Sequence, residues 1–234
     1  MKVRCIWEHN GNDSILYAAD FPGAFTRGRS QEVAMQKIPA EIAAYMRWRR
    51  LSVLPVVDVV ISQEKESRLQ ICDADSDVLF ETELAPLSME EYEMLKQLTL
   101  KSAADFQLLF DSIPDKEQSV LPERMTFYGK VPRTAREMYD HTKNVNAYYF
   151  GEIDVPADND GTILACRQRG FADLEQTTSF LNNGVFEGSY GEQWTLRKVL
   201  RRFIWHDRIH AKAMYRMAAR TFGAGSVPNV FGFD

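Results

Sequence analysis

The chain has 234 residues, 45% hydrophobic and 26% charged, with a net charge of −5, so it can build one large domain or two ordinary ones and carries no general attraction for nucleic acid. Its opening, Met1 to Trp7, lacks a signal-peptide apolar stretch, and no apolar run approaches the roughly 18 residues of a membrane span, so a cytoplasmic protein is expected. Cys5, Cys72 and Cys166 are widely spaced and odd in number, which argues against a disulfide framework and a thiolate zinc site. Each is expected as a small core residue, with Cys166 the one to check as a nucleophile.

From the start, Val3, Cys5 and Trp7 alternate with Arg4, Ile6 and Glu8, and the turn Asn10 to Asp13 leads into Ser14 to Ala19, which together suggest a hairpin. His9 falls at that turn and is expected to be exposed and without function. Ser30 can cap a helix running to about Arg50, with Pro39 as its weak point. The cluster Arg47 to Arg50 reads as a basic helix end, since cations favour a helix C-terminus. Val56 to Ile61 is a β-branched strand candidate. Leu69 to Cys72 and Val78 to Thr82 are expected as a strand pair across the acidic turn Asp73 to Asp77, which lacks the glycine and distal glutamate of a calcium loop.

Tyr17 to Gly28, followed by Ser30, Gln31 and Glu32, resembles the start of the HicB family, whose members open with a strand, an LPG-type turn, a T-x-G segment and a helix that starts acidic. The resemblance covers residues 1 to about 65 and implies a small sheet with one long helix. HicB antitoxins usually take DNA binding from a separate ribbon-helix-helix or helix-turn-helix segment. None is found after residue 65, so antitoxin function is not implied.

Pro86 opens a shift to helical patterns. Ser88 with Glu91 forms a capping-box spacing, and apolar positions from Tyr92 to Phe110 carry a long helix to about Ile113. A polar connection through Pro122 and Pro132 leads to a second capping box, Thr134 with Glu137, and a helix to Gly151 with Met138, His141, Val145, Tyr148 and Tyr149 on one face. Pro156 to Gly161 ends that helix and starts a long crossover. Thr162 to Phe180 can hold a third helix, closed by Asn182 to Gly184, and Val185 to Trp194 is a loop. Thr195 caps the last long helix, Leu196 to Ala219, and Gly223 to Ser226 release a tail whose Phe231 and Phe233 can pack back.

His206 and His210 lie four apart on that last helix, separated by about 40° of rotation and about 6 Å of rise, so both imidazoles can reach one point. They share an arc with Leu196, Val199, Phe203, Met214 and Met217 and therefore face the core. His141 also points inward. A buried imidazole needs partners that Leu and Met do not offer, which leaves core histidines held by carbonyls or tyrosines, or three ligands of one divalent ion. With three of only four histidines on inward stripes, metal binding by His141, His206 and His210 is the preferred reading.

Thr134 to His141 before Tyr148 and Tyr149, together with Thr195 to Leu200 before Trp205 to His210, is similar to the DinB/YfiT-like family. That family has four-helix bundles with one histidine on the second helix and an HxxxH pair on the last, jointly binding a divalent metal. The resemblance spans about residues 85 to 222 and implies the ligand set His141, His206 and His210. The expected fold class is α+β: a HicB-like small α/β sandwich over residues 1–86, then a DinB-like four-helix bundle over residues 87–234.

The resemblance implies a metal-dependent enzyme that activates a low-molecular-weight thiol or water, an S-transferase or hydrolase acting on a small molecule, with zinc, nickel, iron or manganese all compatible with imidazole. The alternative is a non-catalytic metal- or ligand-binding or regulatory module whose HicB-like part recognises a partner. Asp207 and Asp140 are candidates to orient an imidazole or are solvated carboxylates, and Tyr148 and Tyr149 either bring a hydroxyl near the metal or pack. A zincin would need glutamate where Asp207 stands. Arg197, Lys198, Arg201 and Arg202 read as a solvated helix face rather than a nucleic-acid surface. Self-association as a homodimer is compatible with such a bundle, and no membrane contact is expected.

Overall fold

The computed structural model describes residues 1–56 and 58–233, and among them it forms a mixed α+β fold with five α-helices and a four-stranded mixed sheet. Val57, within the expected Val56 to Ile61 strand, and Asp234, the end of the tail, lie outside the described residues. The chain divides into two compact units, residues 1–83 with 231–234, and residues 84–230.

In the first unit β1 (Lys2–His9), β2 (Ser14–Ala18) and β3 (Phe25–Gly28) form an antiparallel meander, and β4 (Asp58–Glu66) returns parallel to β1, giving the order β3-β2-β1-β4. The β1–β4 register shifts between Cys5 and Ile6, where Ser62 is the extra residue and donates its hydroxyl to the Cys5 carbonyl at 3.2 Å. The crossover is α1 (Gln31–Trp48), whose first turn is capped by the Ser30 side chain accepting from the Val33 N–H. Pro39 sits inside α1 without ending it.

Every residue of β2 is buried because the sheet is covered on both faces. Successive side chains on a strand point to opposite faces. Leu16 shares a face with its cross-strand partner Thr26, whose hydroxyl donates to the Ala34 carbonyl of α1 at 2.7 Å. Tyr17, on the other face, meets Phe80 and donates its hydroxyl to Ser76 at 2.7 Å.

That second cover corrects the expected strand pair at 69–72 and 78–82. Among the described residues neither segment is a strand; Ile71–Asp73 and Glu81–Glu83 are short 3-10 turns, with Ala74 left-handed between them. Side-chain bonds to the sheet replace a ladder. Glu8 accepts from the Ser76 hydroxyl and the Asp77 N–H, Lys65 pairs with Asp77, and the Gln63 amide donates to the Leu79 carbonyl while accepting from the Glu81 N–H.

The tail packs against α1: Phe231 stacks on Trp48 and on Phe233, and Arg47 donates to the Gly232 carbonyl at 3.1 Å. His9 is not a bare turn residue but ends β1, stacked on Trp7 with Nε2 3.1 Å from Glu64. Of the cysteines, Cys5 and Cys166 are buried as expected, whereas Cys72 is exposed.

The second unit holds α2 (Met89–Ser112), α3 (Ala135–Gly151), α4 (Ile163–Leu174) and α5 (Leu196–Phe222). The Ser88–Glu91 and Thr134–Glu137 capping boxes form in both directions, and Thr162 and Thr195 cap α4 and α5. The expected third helix stops at Leu174 rather than Phe180; after it the chain turns, and Phe180–Asn182 is a separate 3-10 turn whose Phe180 packs on Tyr92. Two small ribbons, β5 (Met125–Thr126) with β6 (Gly129–Lys130) and β7 (Phe186–Glu187) with β8 (Gln193–Trp194), sit in the loops. α2 and α3 each pack against both α4 and α5, so α4 and α5 face one another across the diagonal of the helical unit. Tyr92, Tyr149, Phe150, Phe171, Trp194, Val199 and Phe203 anchor its core. No described helix is long and apolar enough to cross a membrane.

Two outcomes follow from this packing. Burial, opposed by bonds from Ser76 and the Asp77 backbone, pushes the Glu8 carboxyl up from 4.5 to about 7. The folded state therefore holds a proton that the unfolded chain has released between these values, so stability present below pH 4.5 is lost as pH rises towards 7, by up to about 3 kcal/mol. Denaturant titrations at pH 5 and pH 7.5 should show that slope in the wild type and its loss in Glu8→Gln. Gly170 lies where α4 meets α3, and an added Cβ would stand 2.2 Å from the Phe150 ring. Gly170→Ala should cost about 1–3 kcal/mol in a thermal melt, and an unchanged melting temperature would show that the two helices separate easily.

Candidate metal centre

Helix α5 is buried on nearly every side, and from Lys198 to Arg208 not one residue is exposed. This overturns the expected solvated basic face. Lys198 is wholly buried, with Nζ 2.9 Å from Glu192, donating to the Gln193 carbonyl at 2.6 Å and lying 4.6 Å over the Trp194 ring. Burial pushes its pKa down to about 8, against the pull of Glu192. Arg202 lies over Trp205 at 4.6 Å and near Tyr149 and Trp194. Arg197 donates to the Ala85 and Pro86 carbonyls and pairs with Glu91. Helix periodicity alone sees only one apolar face; here every face of the helix between Lys198 and Arg208 meets protein.

On this helix His206 and His210 stand one turn apart, and His141 of α3 faces them. The His206 and His210 ring centroids are 4.5 Å apart, and the His141 ring lies 5.1 Å from the first and 4.6 Å from the second. One ligating nitrogen from each lies within 4.8 Å of the others. Tetrahedral imidazole ligands at about 2.0–2.1 Å from an ion would stand about 3.4 Å apart, somewhat closer than the nitrogens stand here. The three thus come from two helices about 65 residues apart in the chain and converge on one point.

Electrostatics favour neutral rings. Burial lowers the pKa of all three: His141 by that cause alone, His210 to about 3 with His141 adding to the effect, and His206 well below its ordinary value with the charges of its neighbours adding. Neutral imidazoles offer lone pairs without first having to lose a proton. His206 is 8% exposed, and its Nδ1 is buried without a protein partner, so the donor set is incomplete as protein alone. A divalent ion fits that set by its chemistry: three neutral nitrogens, with no carboxylate or thiolate among them.

The proposed supporting residues fall out differently. Asp207 neither orients an imidazole nor meets solvent. Its carboxylate is fully buried and takes both arms of Arg167 from α4, Nη1 to Oδ2 at 2.6 Å and Nη2 to Oδ1 at 3.3 Å. Burial raises its pKa and Arg167 opposes the shift. Committed to that pair, it has no place as a general base of the zincin kind. Asp140 is half-buried, and among the described residues no hydrogen bond joins it to a histidine.

Tyr149 packs edge-on, 6.1 Å from the His206 ring, and Tyr148 lies against Tyr149 and Trp194. Tyr148 also lines a cavity of about 490 Å³ with Glu152, Phe186 and Gly188, and none of the three histidines borders it. Cys166 is no nucleophile: its thiol is buried, is donated to the Ile163 carbonyl, and has its pKa raised by burial. Arg167 is the residue that sequence reasoning passed over. It lies two residues from Arg169, and nothing in the local pattern sets it apart from that arginine, which pairs with Asp158 at the surface.

No protein-family profile, curated protein or solved structure matches the chain.

The Lys198–Glu192 pair carries a test of the buried basic face. Glu192→Gln should destabilise the protein by about 3–5 kcal/mol because it leaves a buried ammonium unmatched, whereas Lys198→Met should cost less. Equal melting temperatures for the two variants would mean that Lys198 reaches water after all.

Proposed function

We propose that the helical unit is a DinB-like four-helix bundle that binds one divalent ion through His141, His206 and His210, and that the protein is a metal-dependent enzyme using a low-molecular-weight thiol or water, of S-transferase or hydrolase type. The first unit, on this reading, is a HicB-like domain. The observation that carries the proposal is the convergence of three neutral imidazoles, one with an orphaned buried nitrogen, with no other ligand joining them among the described residues.

Three protein donors leave room at a tetrahedral ion for one further ligand, the arrangement of catalytic rather than structural zinc sites. When bound, a divalent ion supplies Lewis acidity that lowers the pKa of a thiol or a water at neutral pH. The chain's own contribution is to hold three uncharged donors and to surround them with a packed wall. His141 and His210 are partly exposed and face the solvent side, while His206 and Tyr149 close the inner side.

Elemental analysis of protein purified without a histidine tag should find about one divalent ion per chain, and His206→Ala should lose it. Equal occupancy in that variant removes the site. With the ion bound, a panel of glutathione, bacillithiol, mycothiol and coenzyme A should raise the melting temperature for at least one thiol. If none does, the reading moves to the non-catalytic metal- or ligand-binding module.

A further inference from the structure

The Arg167–Asp207 pair spans the diagonal between α4 and α5, where the two helices do not lie side by side. The hydrophobic attraction that packs a core is non-directional and does not by itself name one partner atom or one angle. A bidentate arginine–carboxylate pair is different, because two parallel bonds set both a distance and an angle. Arg167 grips α5 at two successive turns: its guanidinium lies 4.1 Å over the Phe203 ring and forks onto Asp207 one turn later. His206 lies between those two holds in the chain.

We infer that Arg167 and Asp207 are positioning residues for the histidine cluster, fixing the rotation of α5 at which His206 and His210 face His141. The inference rests on the metal-site reading and adds to it the device that sets the site's geometry. Asp207 and His206 are neighbours on one rigid turn, so any rotation that moves the carboxylate moves the imidazole with it. An imidazole tip lies about 6 Å from the helix axis, so a rotation of about 10° carries it about 1 Å. Metal–nitrogen distances tolerate only about 0.2 Å.

Stability alone does not account for the pair. Two charges wholly removed from water are often replaced by apolar residues of similar size with no loss of stability, or with a gain. Nor does α4 contribute any ligand of its own to the cluster. What the pair adds over an apolar contact is direction, and the element it directs is the turn carrying His206.

The test separates geometry from stability in the full-length chain. Zinc affinity is measured by competition with a chromophoric chelator, and site geometry by the visible absorption of the cobalt(II)-loaded protein. The double variant Arg167→Leu/Asp207→Leu should melt at or above the wild-type temperature yet bind zinc about 10–100-fold more weakly, with a changed cobalt spectrum. Wild-type affinity and spectrum in that variant overturn the inference. Should it not fold, Arg167→Lys keeps the charge but loses the fork, and it should weaken zinc binding several-fold; wild-type affinity there overturns the inference equally. If the wild-type protein binds neither zinc nor cobalt, the metal reading falls first and the positioning role falls with it, a result distinct from metal binding that is indifferent to Arg167.

Discussion

The burial of α5 on every side from Lys198 to Arg208 is the constraint from which the rest of the helical unit follows. Between Lys198 and Arg208, α5 has no solvent-facing side, yet it carries five cations or carboxylates and one histidine in that span. Each polar group withdrawn from water needs a partner supplied by a neighbouring element. Glu192 and the Gln193 carbonyl serve Lys198, the rings of Tyr149 and Trp194 lie near Arg202, and Arg167 serves Asp207. Only the histidine pair is answered by further histidine, and a nitrogen is left over. At the cluster His206 Nδ1 is buried without a protein partner, and three imidazoles stand together there.

The same physical demand shapes the first unit. Glu8 is buried on the sheet face opposite α1, and the chain between Ile71 and Glu83 lies over it so that Ser76 and Asp77 can donate to its carboxylate. A strand pair there would direct its hydrogen bonds along its own ladder and leave Glu8 without donors. In both units, then, a buried ionisable side chain decides how a nearby segment runs: Glu8 draws a loop over a sheet, and Asp207 draws an arginine across a helical core. Such groups contribute little net stability compared with apolar packing, but they are directional, which apolar packing is not.

Much of the local structure could be read from residue order because its causes are local. A hydroxyl three residues ahead of a glutamate closes a capping box whatever surrounds it, so Ser88 and Thr134 mark the starts of α2 and α3. Alternation from Val3 to Trp7 and the turn after His9 suffice for β1 and β2, and the spacing of His206 and His210 suffices to put both imidazoles on one side of a helix. The end of α4 was less legible. After Leu174 the chain still looks helical in pattern, but Phe180 leaves to pack on Tyr92, a contact 88 positions away in sequence that no window contains.

What the order of residues determines by itself is therefore what neighbours within a few positions decide: caps, turns, the periods of strand and helix, and the side of a helix on which a histidine stands. Tertiary structure alone decided which faces of α5 meet water, because burial depends on how many elements surround a helix and not on its own pattern. It alone matched Arg167 to Asp207 and brought His141 to the histidine pair of α5. Those partners lie 40 and about 65 residues apart, and only packing in three dimensions turns residues so distant into neighbours.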